Sequence, residues 1–322
     1  MSEEATRFAL VCADLVVPLL AGYWCRQRHL VSTQLINWLI LLNVRVLLPV
    51  LSVLSLWVLP ISAQLWWLPL FGFFLVLFPG ALAGFYASRH YRRALQQGAY
   101  VMSTMQSNIG VLGGLCTYLL YSEQGYAYAQ IVSGAGNILW ILVCFPLAQY
   151  YYERQHACLG SGQRHWQRVR TMLFSWNQLA LAGIALGLVL NSLSLPRPDF
   201  LGTLFAPLVH VGAWSALFPV GALIDLRRSG LYYPKILSLL PLKFIIVPAA
   251  TLALALPLIS DPRQLGALLV FALTPTGINS VLVCRLYKLN VNLAAAAFIL
   301  TTALFVAVAF PLLYFWLRLS LQ

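Results

Sequence analysis

The sequence predicts an all-α polytopic membrane protein of ten transmembrane helices, arranged as two inverted five-helix repeats. Three observations lead there. Of 322 residues, 61% are hydrophobic and only 9% charged, with a mean hydropathy of +0.82; a soluble domain carries roughly 25% charged residues. The apolar stretches are long and unbroken, whereas membrane β-strands are alternating segments of about 9–11 residues. The starts of the first five stretches recur 166 to 170 residues later as the starts of the second five. An odd number of spans per half inserts the second half upside down relative to the first.

The spans follow in order. The first covers 7–24, and the acidic start Met1-Ser-Glu-Glu before it does not resemble the basic start of a signal peptide, so this span is expected to be retained. The next four cover 33–59, 64–88, 98–121 and 125–151. A basic polar segment, 152–175, reads as a cytoplasmic linker between a first repeat, 1–151, and a second, 176–322. The remaining spans cover 176–193, 199–226, 234–259, 265–284 and 291–317. Basic residues set the orientation. After spans one, three, five, seven and nine come Arg26 and Arg28; Arg89, Arg92 and Arg93; Arg154, Arg164, Arg168 and Arg170; Arg227, Arg228 and Lys235; and Arg285 and Lys288. Only Arg7, Arg197, Arg263 and Arg318 fall on the other side. The richer side faces the cytoplasm, which puts both termini outside. The GxxxG pairs Gly80/Gly84 and Gly183/Gly187 read as helix contact surfaces.

Composition also excludes classes of function. The net charge of +12 is spent in short loops, with no basic-aromatic platform for nucleic acid. No HExxH, GxSxG or P-loop is present, so no enzyme chemistry or ATP drive is expected. The six cysteines are scattered without metal-ligand spacing, as buried free thiols. No metal or other cofactor is expected.

Two spans are poorly written as continuous helices. The ninth carries Thr274-Pro-Thr-Gly-Ile-Asn-Ser280 at its centre; Pro275 lacks an N–H and clashes with the preceding turn, and Gly277 is a weak helix former. The fourth carries Gln106-Ser-Asn-Ile-Gly110, followed by Gly113 and Gly114, and Asn108 lies 171 residues before Asn279. Interrupted segments at corresponding positions of two halves point to a midplane binding site in a secondary transporter. Half-helix N-termini there would offer unpaired N–H groups and positive partial charge to an anion. Within other spans sit Asp14, Arg45, Lys243 and His210. Charges at membrane depth are costly, so such residues pair, snorkel or work. Arg45 or Lys243 would supply positive charge to an anion or pair with Asp14, and His210 would carry a proton or simply pack. Asp225 is read as a cytoplasmic-edge partner of Arg227 and Arg228.

The passage from Leu273 to Thr302 resembles the C-terminal signature of the auxin efflux carrier family: a Pro-containing break with a nearby Asn, a basic-aromatic turn, then a small-residue final helix. Ser107-Asn-Ile-Gly110 is similar to that family's span-four motif, and Asn137 to an Asn of its span five. The chain departs from the pattern in having no Pro after the span-four glycines, and its short linker matches the compact bacterial-type members. The resemblance implies a fold similar to bile-acid symporters and sodium-proton antiporters. Spans 1, 2, 6 and 7 would form a scaffold, and spans 3–5 and 8–10 a transport domain. It implies elevator-type movement of a small organic anion, with Asn108, Asn279, Asn137, Gln106, Ser107 and Thr276 contacting it and Gly110, Pro275 and Gly277 shaping the crossing. Lipid bilayer, an anionic substrate and a scaffold-built homodimer are the implied partners, and a bacterial inner membrane the implied location. A sodium-coupled bile-acid-type symporter and a non-transporting membrane sensor remain alternatives.

Overall fold

The computed structural model describes residues 3–156, 179–223 and 230–321. The expected start of span six at Trp176, the linker from 157 onward, and the Asp225 edge lie outside these residues. Among the described residues every element is helical. Helix α1 is Glu3–Gln27, α2 Thr33–Trp57, and α3 Ala63–His90. Helix α4, Ala94–Met105, ends at a break. The stretch Ile109–His156 changes direction at Tyr121 and Ser122, where Ser122 takes φ 54°; we label 109–121 α5 and 123–156 α6. The turns of α6 run past 151 to His156, so the first five residues of the expected linker are helix. Then follow α7 Leu179–Ser192, α8 Asp199–Leu223, and α9 Leu239–Ala255, set at 60° to a short lead helix, Gly230–Ile236. Helices α10 Pro262–Leu273 and α11 Ile278–Leu286 flank the second break, and α12 is Val291–Leu317.

Five of these stretches are long and apolar enough to cross a membrane, or six if the bent α9 pair is one span. Ten crossings do not follow from length and apolarity alone, because the breaks cut two expected spans into shorter pieces. Helices α4 and α10 have 12 residues each, about 18 Å at 1.5 Å per residue against a hydrocarbon core of about 30 Å.

Small residues decide which helices touch. Helices α1 and α8 run parallel so close that a Cβ on Gly22 would stand 2.0 Å from the Phe218 carbonyl oxygen, and one on Gly221 2.0 Å from that of Leu19. Helices α2 and α7 also run parallel, with Gly183 against the Pro49 backbone and Gly187 against Val53 and Leu56. Asn191 completes that contact, its amide donating to the carbonyls of Leu56, Trp57 and Leu59, the end of α2. The Gly80/Gly84 pair behaves differently: Gly80 faces Met105, and Gly84 faces open space. Two large apolar cores, and a small third one at Val31, Ile36 and Ala222, fill the remaining interior among the described residues. One gathers Leu68, Phe71, Leu112, Phe271 and Phe305. The other gathers Tyr100, Met102, Ile141, Val283 and Ala297 around α4, α6, α11 and α12. Single π-helical turns interrupt α2 at Asn43–Leu47, α6 at Trp140–Cys144, α9 at Leu242–Ile246 and α12 at Phe305–Ala309, and another, Ile109–Gly113, opens α5. Such turns are rare and concentrate at functional sites.

Candidate functional site

The two breaks meet and repair each other. Pro275 disfavours helical backbone in the residue before it, and Thr274 is extended at ψ 140°. Gln106 leaves the helix at φ −98°, ψ 103°. Each break frees backbone groups that cannot go unpaired at membrane depth. The two segments satisfy one another as a one-rung antiparallel bridge, Ser107 opposite Thr276. The Asn108 N–H donates to the Pro275 carbonyl (2.9 Å), and the Gly277 N–H to the Gln106 carbonyl (2.8 Å). Side chains finish the accounting. The Thr276 N–H donates to Thr301 Oγ1 on α12 (3.0 Å), and Thr276 Oγ1 donates to the Ser103 carbonyl on α4 (2.8 Å).

Helices α5 and α11 both begin at this crossing and run away from it in opposite directions. Their first N–H groups have no intrahelical acceptor, so two positive helix ends flank one point. Beside them lies a cavity of about 220 Å³, whose far wall is formed by α2, α3, α6, α7 and α8. Ser107, Asn108, Gly110, Asn137, Gly277 and Asn279 all line it. The side-chain amides of Asn108, Asn137 and Asn279 are half-buried and bond to no other described residue. Gln106 also lines the cavity, and its buried Nε2 meets no nitrogen or oxygen acceptor among the described residues. Among the described residues the lining carries no charged side chain. Trp140, Val76 and Ile184 give it an apolar face.

Other expected residues lie elsewhere. Thr276 is fully buried and bonded within the crossing, as is Pro275 behind it, and neither faces the cavity. Arg45 is exposed on the outer side of the α2 π-turn. Asp14 does not pair with Arg45 or Lys243. Its carboxylate meets His210 Nδ1 at 2.5 Å and accepts from Trp214 Nε1 at 2.8 Å. The close packing of α1 on α8 imposes that partnership, and none of the three lines the cavity. Lys243 is buried, and its ammonium donates to Ser107 Oγ at 2.8 Å.

Sequence reading missed two amides. Gln130 lines the cavity, donates to the Gly110 carbonyl (3.2 Å) and accepts from Ser52 Oγ on α2 (3.1 Å). Asn43 donates to the Gly212 carbonyl and Ser215 Oγ of α8. The available signal was an amide at membrane depth in an otherwise apolar span.

A family model described as a membrane transport protein matches residues 11–314. No curated protein matches the chain. That match spans both breaks, the cavity between them and nearly every helix described above, and the chain accordingly belongs to the membrane transport protein family of auxin efflux carriers.

Proposed function

We propose that this membrane transporter carries a small organic anion, a carboxylate, by an elevator-type movement of one set of helices against another. The observation that carries the reading is the cavity at the crossing of two broken helices. Two helix N-termini and the unengaged amides of Asn108, Asn137 and Asn279 converge on it, a donor-rich surface matched to carboxylate oxygens.

The ten-span inverted-repeat architecture belongs to the same proposal. In such a repeat, spans one and seven are the counterparts of spans six and two, and those pairs, α1–α8 and α7–α2, both pack parallel through glycine contacts. The π-turns at Trp140–Cys144 and Phe305–Ala309 start 165 residues apart, near the offset of the span starts. The scaffold would be α1, α2, α7 and α8, the surface of a homodimer. The moving body would be α3–α6 and α9–α12, in an inner membrane with both termini outside.

Flux into proteoliposomes tests the reading, using labelled malate, malonate and indole-3-acetate with no gradient, a proton gradient and a sodium gradient. Saturable uptake of one anion, lowered at least about tenfold (about 1.4 kcal/mol) in Asn108→Ala/Asn279→Ala, is expected. A double variant that transports like the wild type would put the site elsewhere. Uptake driven by sodium alone would favour a sodium-coupled symporter, and binding without flux a sensor.

A further inference from the structure

Lys243 is the least expected residue in the interior. It is 2% exposed, and among the described residues no carboxylate lies within ion-pair distance of it. A buried ammonium without a counter-charge is costly, and apolar residues surround this one in sequence, Leu242 and Phe244. The α9 π-turn, Leu242–Ile246, carries it. Its single hydrogen bond to a described residue goes to Ser107 Oγ, at the rung of the crossing.

That bond constrains Ser107. A hydroxyl has one proton to give and lone pairs to accept with. With Lys243 protonated, its ammonium takes a lone pair, so the Ser107 proton must point elsewhere, and among the described residues nothing accepts it. Ser107 is half-buried and lines the cavity. Its hydroxyl is therefore set as a donor toward the cavity and polarised by the charge behind it, and hydrogen bonds in such chains strengthen one another. Asn amides can turn either their donor or their acceptor toward a ligand, so they do not by themselves distinguish a carboxylate from its neutral amide.

We propose that Lys243 is the positioning residue for charge selection: acting through Ser107, it makes the crossing prefer a carboxylate over a neutral molecule of the same shape. The proposal rests on the anion-carrier reading above. Lys243 never touches the substrate. It serves as the site's resident cation, held in the protein during turnover.

The test uses the full-length protein with Lys243→Met, Ser107→Ala and Ser107→Thr, and has two arms. Thermal unfolding without ligand reads the cost of the buried charge. Binding compares indole-3-acetate with indole-3-acetamide, and malonate with malonamide. Lys243→Met is expected to raise the unfolding temperature by about 2 °C or more, because it replaces an uncompensated charge by an apolar chain of similar length. It should also lower the preference for carboxylate over amide at least about tenfold. Ser107→Ala should lose the same preference, and Ser107→Thr, which keeps the hydroxyl, should retain it. A lower unfolding temperature in Lys243→Met, or equal weakening of carboxylate and amide, would make Lys243 structural and overturn the proposal. Should the wild type bind no carboxylate, the anion-carrier reading fails and the unfolding arm still reads Lys243. A fall then makes the residue structural and a rise marks a charge kept at a cost to stability, and in both cases selection of a carboxylate by Lys243 is overturned together with the reading it rests on.

Discussion

Thr301 shows how much of the crossing depends on groups outside it. The Thr276 N–H sits in a fully buried segment, and its acceptor is a hydroxyl on another helix. Thr301→Val keeps the shape and orphans that N–H, so it should destabilise the protein by about 1–3 kcal/mol. Ser280→Ala is the control. Ser280 Oγ only donates to the Gly277 carbonyl one turn earlier, and its loss should cost about 1 kcal/mol or less. Thermal unfolding of the two variants measures the difference. The Asp14 cluster predicts a different separation of effects. Asp14→Leu leaves Trp214 Nε1 and His210 Nδ1 without their acceptor, and should lower stability by about 1–3 kcal/mol. None of these residues lines the cavity, so the concentration giving half-maximal anion flux should change less than about twofold, well under the tenfold that 1.4 kcal/mol would bring.

At the scale of helices, close approach and open space predict opposite outcomes for the same substitution. Gly221→Ala would put a methyl 2.0 Å from the Leu19 carbonyl, so α1 and α8 must separate, at about 1–3 kcal/mol. Gly84→Ala meets nothing within 4 Å and should be neutral or stabilising by up to about 1 kcal/mol, the helix-propensity gain. The paired sequence motif treats Gly84 as a contact surface, so this comparison separates motif from packing. The same contrast explains what was legible in the sequence. Pro275, Gly277 and the glycines after Asn108 announce broken backbone, because their conformational preferences act locally. The partners of that backbone were not legible. Thr301 lies 25 residues from Thr276 and Ser103 173 residues away, and only packing brings them together. Gln130 and Asn43 escaped notice because their helices stay helical through Pro49, Gly134 and Gly136, so the sequence showed no broken backbone beside them and an amide was the only mark they left. The partner of Asp14 is 196 residues distant, chosen by how α1 lies on α8.

For the whole molecule, the decisive asymmetry lies between the two ends of the helix bundle. The cavity wall reaches Leu223, the last described residue of α8, and Leu282 of α11, and so extends toward the C-terminal side of those helices. At the opposite end, Arg197 in the α7–α8 connection grips Glu123 at the α5–α6 turn through both carboxylate oxygens (2.6 and 3.2 Å). Arg197 also donates to the Leu54 carbonyl of α2, which anchors it to the set α1, α2, α7 and α8. Glu123 belongs to the other set, where Tyr121 of the same turn packs on Gly266 of α10. If the two sets move against each other, this ion pair exists only when the end that bears it is closed. Glu123→Gln removes it without changing shape. A loss of about 1–2 kcal/mol from one state shifts the ratio of states about five- to thirtyfold. The measurement is sided labelling of Ser133→Cys, a cavity position, in a background without the native cysteines, using a membrane-impermeant thiol reagent. The parent protein should label from the face bearing the α8 and α11 C-termini. Glu123→Gln should raise labelling from the other face, and the charge swap Glu123→Arg/Arg197→Glu should restore the original sidedness. Unchanged sidedness in Glu123→Gln, with folding intact, would mean that the pair only fastens a loop and that the two helix sets do not exchange across it.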